Sequence, residues 1–82
     1  MTRSQRTLVI SGRRTRLQLE PEFWQALDEI GRRETLSLSD LVTLIRRSDP
    51  RRPTSSSLRV FVATYFRRMA ESSTAQTTRR LQ

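Results

Sequence analysis

Polar and apolar residues alternate strictly between Arg14 and Glu20. Thr15, Leu17 and Leu19 fall on one side of this alternation. A period of two residues is typical of a β-strand with one buried and one exposed face. The pattern therefore predicts a strand whose exposed face is polar and basic. That face carries Arg14, Arg16 and Gln18.

A shorter β-rich run, Thr7-Leu8-Val9-Ile10, precedes this strand and ends at Ser11-Gly12. Glycine permits a turn at this point, because it adopts positive φ angles at little cost. The polar and basic residues 1–6 are expected to form a flexible arm. The pattern alone leaves the role of residues 7–10 open.

Helical periodicity begins directly after the predicted strand. Pro21 suits the first turn of a helix, and Phe23, Leu27 and Ile30 follow at i, i+4 and i+7. These features predict a helix over residues 21–33.

A second helix is predicted over residues 38–47. Ser37 with Asp40 three residues later resembles a capping box. Apolar residues then follow at i, i+3, i+4 and i+7, and they are Leu38, Leu41, Val42 and Ile45.

A third helix follows a proline-containing loop over residues 48–53, and Thr54-Ser55-Ser56-Ser57 can cap it. Its apolar stripe consists of Leu58, Phe61, Val62, Tyr65, Phe66 and Met69. Residues 71–82 are rich in Ser, Thr and Gln and predict a disordered tail. The folded domain is therefore expected over residues 7–70.

Composition narrows the kind of protein. A single domain of 82 residues buries little apolar surface, and without cysteine or histidine it has neither disulfides nor a Cys/His zinc site. A homodimer is the remaining route to stability, with higher oligomers on DNA left open. The same absence removes the usual bases and nucleophiles, so we expect no enzyme, no metal and no cofactor.

Charge points to a polyanion. The net charge is +8, and all sixteen basic residues are arginine, a good ligand for phosphate and guanine. Basic blocks at residues 1–16 and 46–68 flank an acidic segment at residues 20–45. No apolar run is long enough to form a transmembrane helix or a signal peptide, which predicts a cytoplasmic protein at the nucleoid.

The single amphipathic strand needs a hydrogen-bonding partner. Pairing with the same strand of a second chain would give a two-stranded ribbon that fits the major groove of double-stranded DNA. The expected fold class is mainly α with a short β-ribbon, a dimer with an additional C-terminal helix.

Two motifs resemble a known family. Residues 12–24, Gly-Arg-Arg-Thr-Arg-Leu-Gln-Leu-Glu-Pro-Glu-Phe-Trp, resemble the Gly-His-Arg-Thr-Ser-hydrophobic-Ser-Leu-Glu-Pro-x-Phe-Trp signature of short bacterial ribbon-helix-helix proteins. Residues 55–62, Ser-Ser-Ser-Leu-Arg-Val-Phe-Val, resemble a second run of that subfamily. Arg13 stands where the subfamily has histidine, and Arg16 and Gln18 stand where it usually has serine.

The resemblance implies which residues touch DNA. Bases would be contacted by Arg14, Arg16 and Gln18. Phosphate would be bound at the start of the second helix, by Ser37, Leu38 and Ser39. Independently of the resemblance, positive charge predicts further phosphate contacts at Arg13, Arg46, Arg47, Arg51 and Arg52. The core or dimer interface would hold Leu17, Leu19, Phe23, Trp24, Leu27, Leu41, Val42 and Ile45.

The function expected from these observations is a sequence-specific transcriptional regulator, a repressor more than an activator, without a small-molecule ligand. An antitoxin that binds its own promoter and an architectural protein of low specificity are the alternatives. One structural ambiguity also stays open. Residues 55–69 resemble the second helix of the motif, and in that case residues 38–47 would be an insertion.

Overall fold

Two strands pair within the chain. In the computed structural model, which describes residues 4–81 with side chains for residues 4–72, β1 (Ser4–Ile10) runs antiparallel to β2 (Arg13–Leu19). The turn between them has φ angles of 52° at Ser11 and 80° at Gly12. Positive φ at both central residues is the mark of a type I′ turn, whose twist matches that of the flanking strands.

This hairpin changes two sequence-based expectations. Residues 4–6 of the expected flexible arm belong to a strand, because β1 begins at Ser4, and residues 1–3 lie outside the described residues. The strand partner expected from a second chain is supplied by β1 of the same chain, so the two-stranded ribbon needs no dimer. Residues 7–10, whose role the sequence left open, form the second half of β1.

The first helix, α1 (Pro21–Glu34), starts after a single linking residue, Glu20. It ends at Thr35, which has a left-handed φ of 58°, and Leu36 N donates to the carbonyl of Gly31 at 2.8 Å. A Cβ on Gly31 would lie 2.9 Å from the Leu36 carbonyl oxygen, so glycine is needed for this close approach.

Two further helices follow in the described part of the chain, α2 (Leu38–Ser48) and α3 (Thr54–Leu81). The predicted cap of α2 is confirmed, because the Ser37 hydroxyl accepts a hydrogen bond from Asp40 N at 3.1 Å. Both candidate second helices are formed, and the order strand, α1, α2 is consistent with α3 as the additional C-terminal helix. The assigned α3 covers most of the segment 71–82, but side chains beyond Ser72 lie outside the described residues, and its predicted disorder stays a prediction.

The core lies between the inner face of the hairpin and the three helices. The hairpin packs on α2 through β1 and on α3 through β2. Seven of the eight residues predicted for the core or a dimer interface are buried within the single chain, and Phe23 is half-buried against them. Four further apolar side chains outside that prediction are buried, and they are Ile10, Ile30, Leu58 and Val62.

Candidate nucleic-acid interface

The outer surface of the hairpin is an array of six exposed side chains. The strand register places Gln5 opposite Gln18, Thr7 opposite Arg16, and Val9 opposite Arg14. We call this array of residues 5, 7, 9, 14, 16 and 18 the ribbon face. Gln18 Nε2 donates a hydrogen bond of 3.4 Å to Gln5 Oε1, which links the two strands across the face.

Alternation in β2 puts its predicted base-contacting residues on this face. Leu17 and Leu19 point inward and are 7% and 0% exposed, whereas Arg14, Arg16 and Gln18 are all exposed. The inward residues hold the strand against the helices and leave the outward ones free to meet a ligand.

Half of the ribbon face comes from β1, and sequence reasoning missed it. Gln5, Thr7 and Val9 are exposed and alternate with inward-facing residues. The segment before the Ser-Gly turn also alternates between exposed and inward-facing residues, which could have predicted a strand. The alternation is hard to recognise because one of the inward-facing residues, Arg6, is charged. The Arg6 guanidinium donates to both carboxylate oxygens of Asp28, at 3.0 and 3.1 Å, and lies 5.0 Å from the Trp24 ring centre.

A hydrogen bond and an ion pair fix β1 on α1. Trp24 Nε1 donates to the carbonyl oxygen of Ser4 at 2.8 Å, and the Arg6–Asp28 pair lies beside the same ring. Trp24 is 1% exposed, so its indole anchors the N-terminal end of the hairpin in the core. These contacts hold the strand that carries half of the ribbon face against α1.

The turn of the hairpin meets the second half of α2 in a basic depression of about 350 Å³, which we call the turn pocket. It is lined by Ile10, Ser11, Arg13, Thr43, Arg46, Arg47 and Pro50. Three of the arginines predicted to contact phosphate are thus brought together.

The other predicted phosphate contacts lie elsewhere. Ser37 and Ser39 open α2, roughly 12 Å of helix away from Arg47. The Ser37 hydroxyl caps the helix, and Ser39 uses its carbonyl oxygen to accept from Thr43 Oγ1 at 2.8 Å. Leu38 is half-buried against the core.

Arg51 and Arg52, in the loop after α2, are both exposed. The Arg52 guanidinium is 3.1 Å from the carboxylate of Asp49. Arg52 is therefore held by an internal partner, whereas Arg51 projects from the loop.

Arginines divide into two groups by their partners. Ion pairs hold Arg6, Arg33, Arg52 and Arg59. Within residues 4–72, none of the arginines of the ribbon face or the turn pocket has a carboxylate partner, and these are Arg13, Arg14, Arg16, Arg46 and Arg47. Unpaired guanidinium groups keep their full charge and all their donors for an external anion.

One paired arginine fixes the junction between β2 and α1. Arg59 on α3 donates to both carboxylate oxygens of Glu20, at 2.9 and 3.1 Å, and its guanidinium lies 5.9 Å from the Phe23 ring centre. The hydrogen bond to Glu20 raises the pKa of Arg59 above its ordinary value. This clamp orients the strand that carries Arg14, Arg16 and Gln18, and sequence reasoning did not foresee it.

Residues 4–72 hold no group of side chains suited to a metal ion. No helix in the described part of the chain is long and apolar enough to cross a membrane.

A two-stranded ribbon with a basic face, followed after one linking residue by two helices, defines a class of small ribbon-type nucleic-acid-binding domains. A family model described as the ribbon-helix-helix domain matches residues 3–66, and the chain belongs to that family. Members are generally DNA-binding transcription regulators or antitoxins. No curated protein and no solved structure matches the chain significantly.

Proposed function

We propose that this protein is a sequence-specific DNA-binding regulator that inserts its ribbon face into the major groove. The observation that carries the proposal is the ribbon face itself, where two unpaired arginines and two glutamines project from the hairpin. Neighbouring strands lie about 4.8 Å apart, and the major groove is about 12 Å wide, so two strands with their side chains fit it.

The side chains of the ribbon face match the hydrogen-bonding edges of the bases. Arg14 and Arg16 can each donate two parallel hydrogen bonds to guanine O6 and N7. Gln5 and Gln18 suit adenine, which presents N6 as a donor and N7 as an acceptor. Val9 is 52% exposed, and its methyl groups suit the methyl group of thymine.

Repression is the regulatory outcome that this architecture supports most simply. A domain that occupies promoter DNA excludes polymerase without any further machinery. The ribbon face and the helices that support it lie within residues 4–72, and repression by occupancy requires no catalytic group. DNA as ligand places this activity in the cytoplasm, at the nucleoid.

We further propose that the protein acts as a homodimer, as ribbon-helix-helix domains usually do. A chain of 82 residues buries little apolar surface alone. Each strand of the hairpin also keeps one edge that no strand of the described chain covers. Sedimentation at micromolar concentration should give about twice the 9.6 kDa of one chain. A monomer that melts cooperatively would refute the proposed dimer but would be consistent with the ribbon formed within one chain.

Selection from a random duplex library tests the proposal directly. Repeated rounds of binding should enrich one sequence motif, and its affinity should exceed that for random duplex by about 10³ or more at physiological salt. A preference below about tenfold would indicate an architectural protein, and no binding to either duplex would refute the proposed function.

A further inference from the structure

The turn pocket combines positive charge with concave shape. Arg13 comes from the start of β2, and Arg46 and Arg47 come from the last turn of α2, so the three cations converge from two separate elements. No carboxylate is among the residues that line the pocket.

Such a convergence is unfavourable without an anion. Like charges around one depression repel one another, and the dipole at the C-terminal end of α2 offsets this repulsion only in part. Asp49, the nearest acidic residue along the chain, is occupied by Arg52 at 3.1 Å and accepts from the Ser57 hydroxyl at 3.5 Å. The arginines of the pocket are therefore left for an external partner.

The lining fits a phosphate group in particular. Guanidinium groups bind phosphate oxygens through paired N–H donors, and three of them can surround one tetrahedral anion. The exposed Ser11 hydroxyl adds a donor at the turn, whereas Thr43 already donates to Ser39 and can only accept. Ile10, 1% exposed, forms an apolar floor beneath these groups.

We propose that the turn pocket is a phosphate-binding site, separate from the first turn of α2. Its expected ligand is a backbone phosphate of the duplex that lies on the ribbon face, which rests on the proposed function. The pair Ile10 and Arg13 directly follows the pair Val9 and Arg14 of the ribbon face in the strand register. Side chains of successive pairs point to opposite faces of the hairpin, so Ile10 and Arg13 lie on its inner side at the turn end, and a duplex on the ribbon face would reach the pocket with a backbone phosphate beside the turn. A free phosphorylated ligand is the other source of the same chemistry.

Two double variants with equal charge test the site. Arg46→Gln with Arg47→Gln removes two cations from the pocket. Arg67→Gln with Arg68→Gln removes two exposed cations from α3 that do not line it. Both lower the formal net charge from +8 to +6. Thermal melts check folding, and Arg46→Lys with Arg47→Lys provides a second pocket variant that keeps the charge but loses the fork-shaped donors.

The first arm measures affinity for a random duplex as a function of salt. The slope of log affinity against log salt should be shallower in the pocket variant than in the α3 variant, by about 0.9 for each phosphate that is no longer neutralised. The second arm titrates inorganic phosphate against chloride at constant ionic strength. Amide NMR signals of Ser11, Gly12 and Thr43 are followed in the wild type and both variants.

The outcomes separate the two sources and the two proposals. A change in salt slope alone identifies a DNA phosphate, and phosphate-dependent shifts that vanish only in the pocket variant identify a free phosphorylated ligand. If wild-type protein binds no duplex but its pocket signals respond to phosphate, the proposed function fails and the pocket proposal stands. Equal slopes in both variants, together with unchanged signals on adding phosphate, would overturn the pocket proposal.

Discussion

The outward surfaces of the molecule and the contacts between its secondary-structure elements use arginine in opposite ways. On the ribbon face and in the turn pocket, arginines project without carboxylate partners. Between the elements, Arg6 and Arg59 each span a tertiary contact and donate to both oxygens of a carboxylate. The +8 charge therefore combines arginines that hold the fold with arginines free for a ligand.

This comparison shows why composition alone is a poor guide to a binding surface. An arginine with a fixed internal partner has already used donors that a phosphate or base would need. The unpaired arginines on the hairpin and at the end of α2 are the better candidates for DNA contacts, and Arg52 is a weaker one because Asp49 holds it.

The largest expected loss of stability is at Leu19, which is fully buried on the inner side of β2. Leu19→Ala should lower the free energy of unfolding by about 2–5 kcal/mol, because apolar burial is reduced and a cavity remains. Urea unfolding measures the change. Gln18→Ala, one residue away on the opposite face, is the matched control and should alter stability by less than about 0.5 kcal/mol. Similar destabilisation in both variants would mean that the two faces of β2 are not distinct.

A smaller effect is expected at the clamp between α3 and the start of α1. Arg59→Gln should lower the free energy of unfolding by about 1 kcal/mol, because it removes a partly exposed, two-bond ion pair with Glu20. Its salt slope for DNA should stay that of the wild type, since this arginine already has an internal partner. A shallower slope with unchanged stability would place Arg59 among the DNA contacts instead.

Local patterns predicted much of this fold. The period of two in Arg14–Glu20 indicated both faces of β2. Helical spacing predicted helices at residues 21–33 and 38–47, against observed bounds of Pro21–Glu34 and Leu38–Ser48. These elements are readable because each exposes one face and buries the other, so the residue order itself reflects burial.

The parts that escaped prediction depend on contacts between distant residues. Arg6 looks like an exposed residue, yet it lies on the inward side of β1 because Asp28, 22 positions later, and Trp24 receive it. Glu20 and Arg59 are 39 positions apart. The turn pocket likewise exists only when the hairpin lies against α2. No local pattern carries such information.

The most direct test of the account is a binding titration of Arg16→Ala on the selected duplex and on random duplex, with a thermal melt for each protein. Arg67→Ala, which removes an exposed charge from α3, is the matched control. Arg16→Ala should weaken binding to the selected duplex more than binding to random duplex, by about 1–3 kcal/mol for each pair of hydrogen bonds to a base that the substitution removes, without change in melting temperature. Equal weakening on both duplexes would make Arg16 a phosphate contact, and unchanged binding to both would show that the ribbon face does not read DNA.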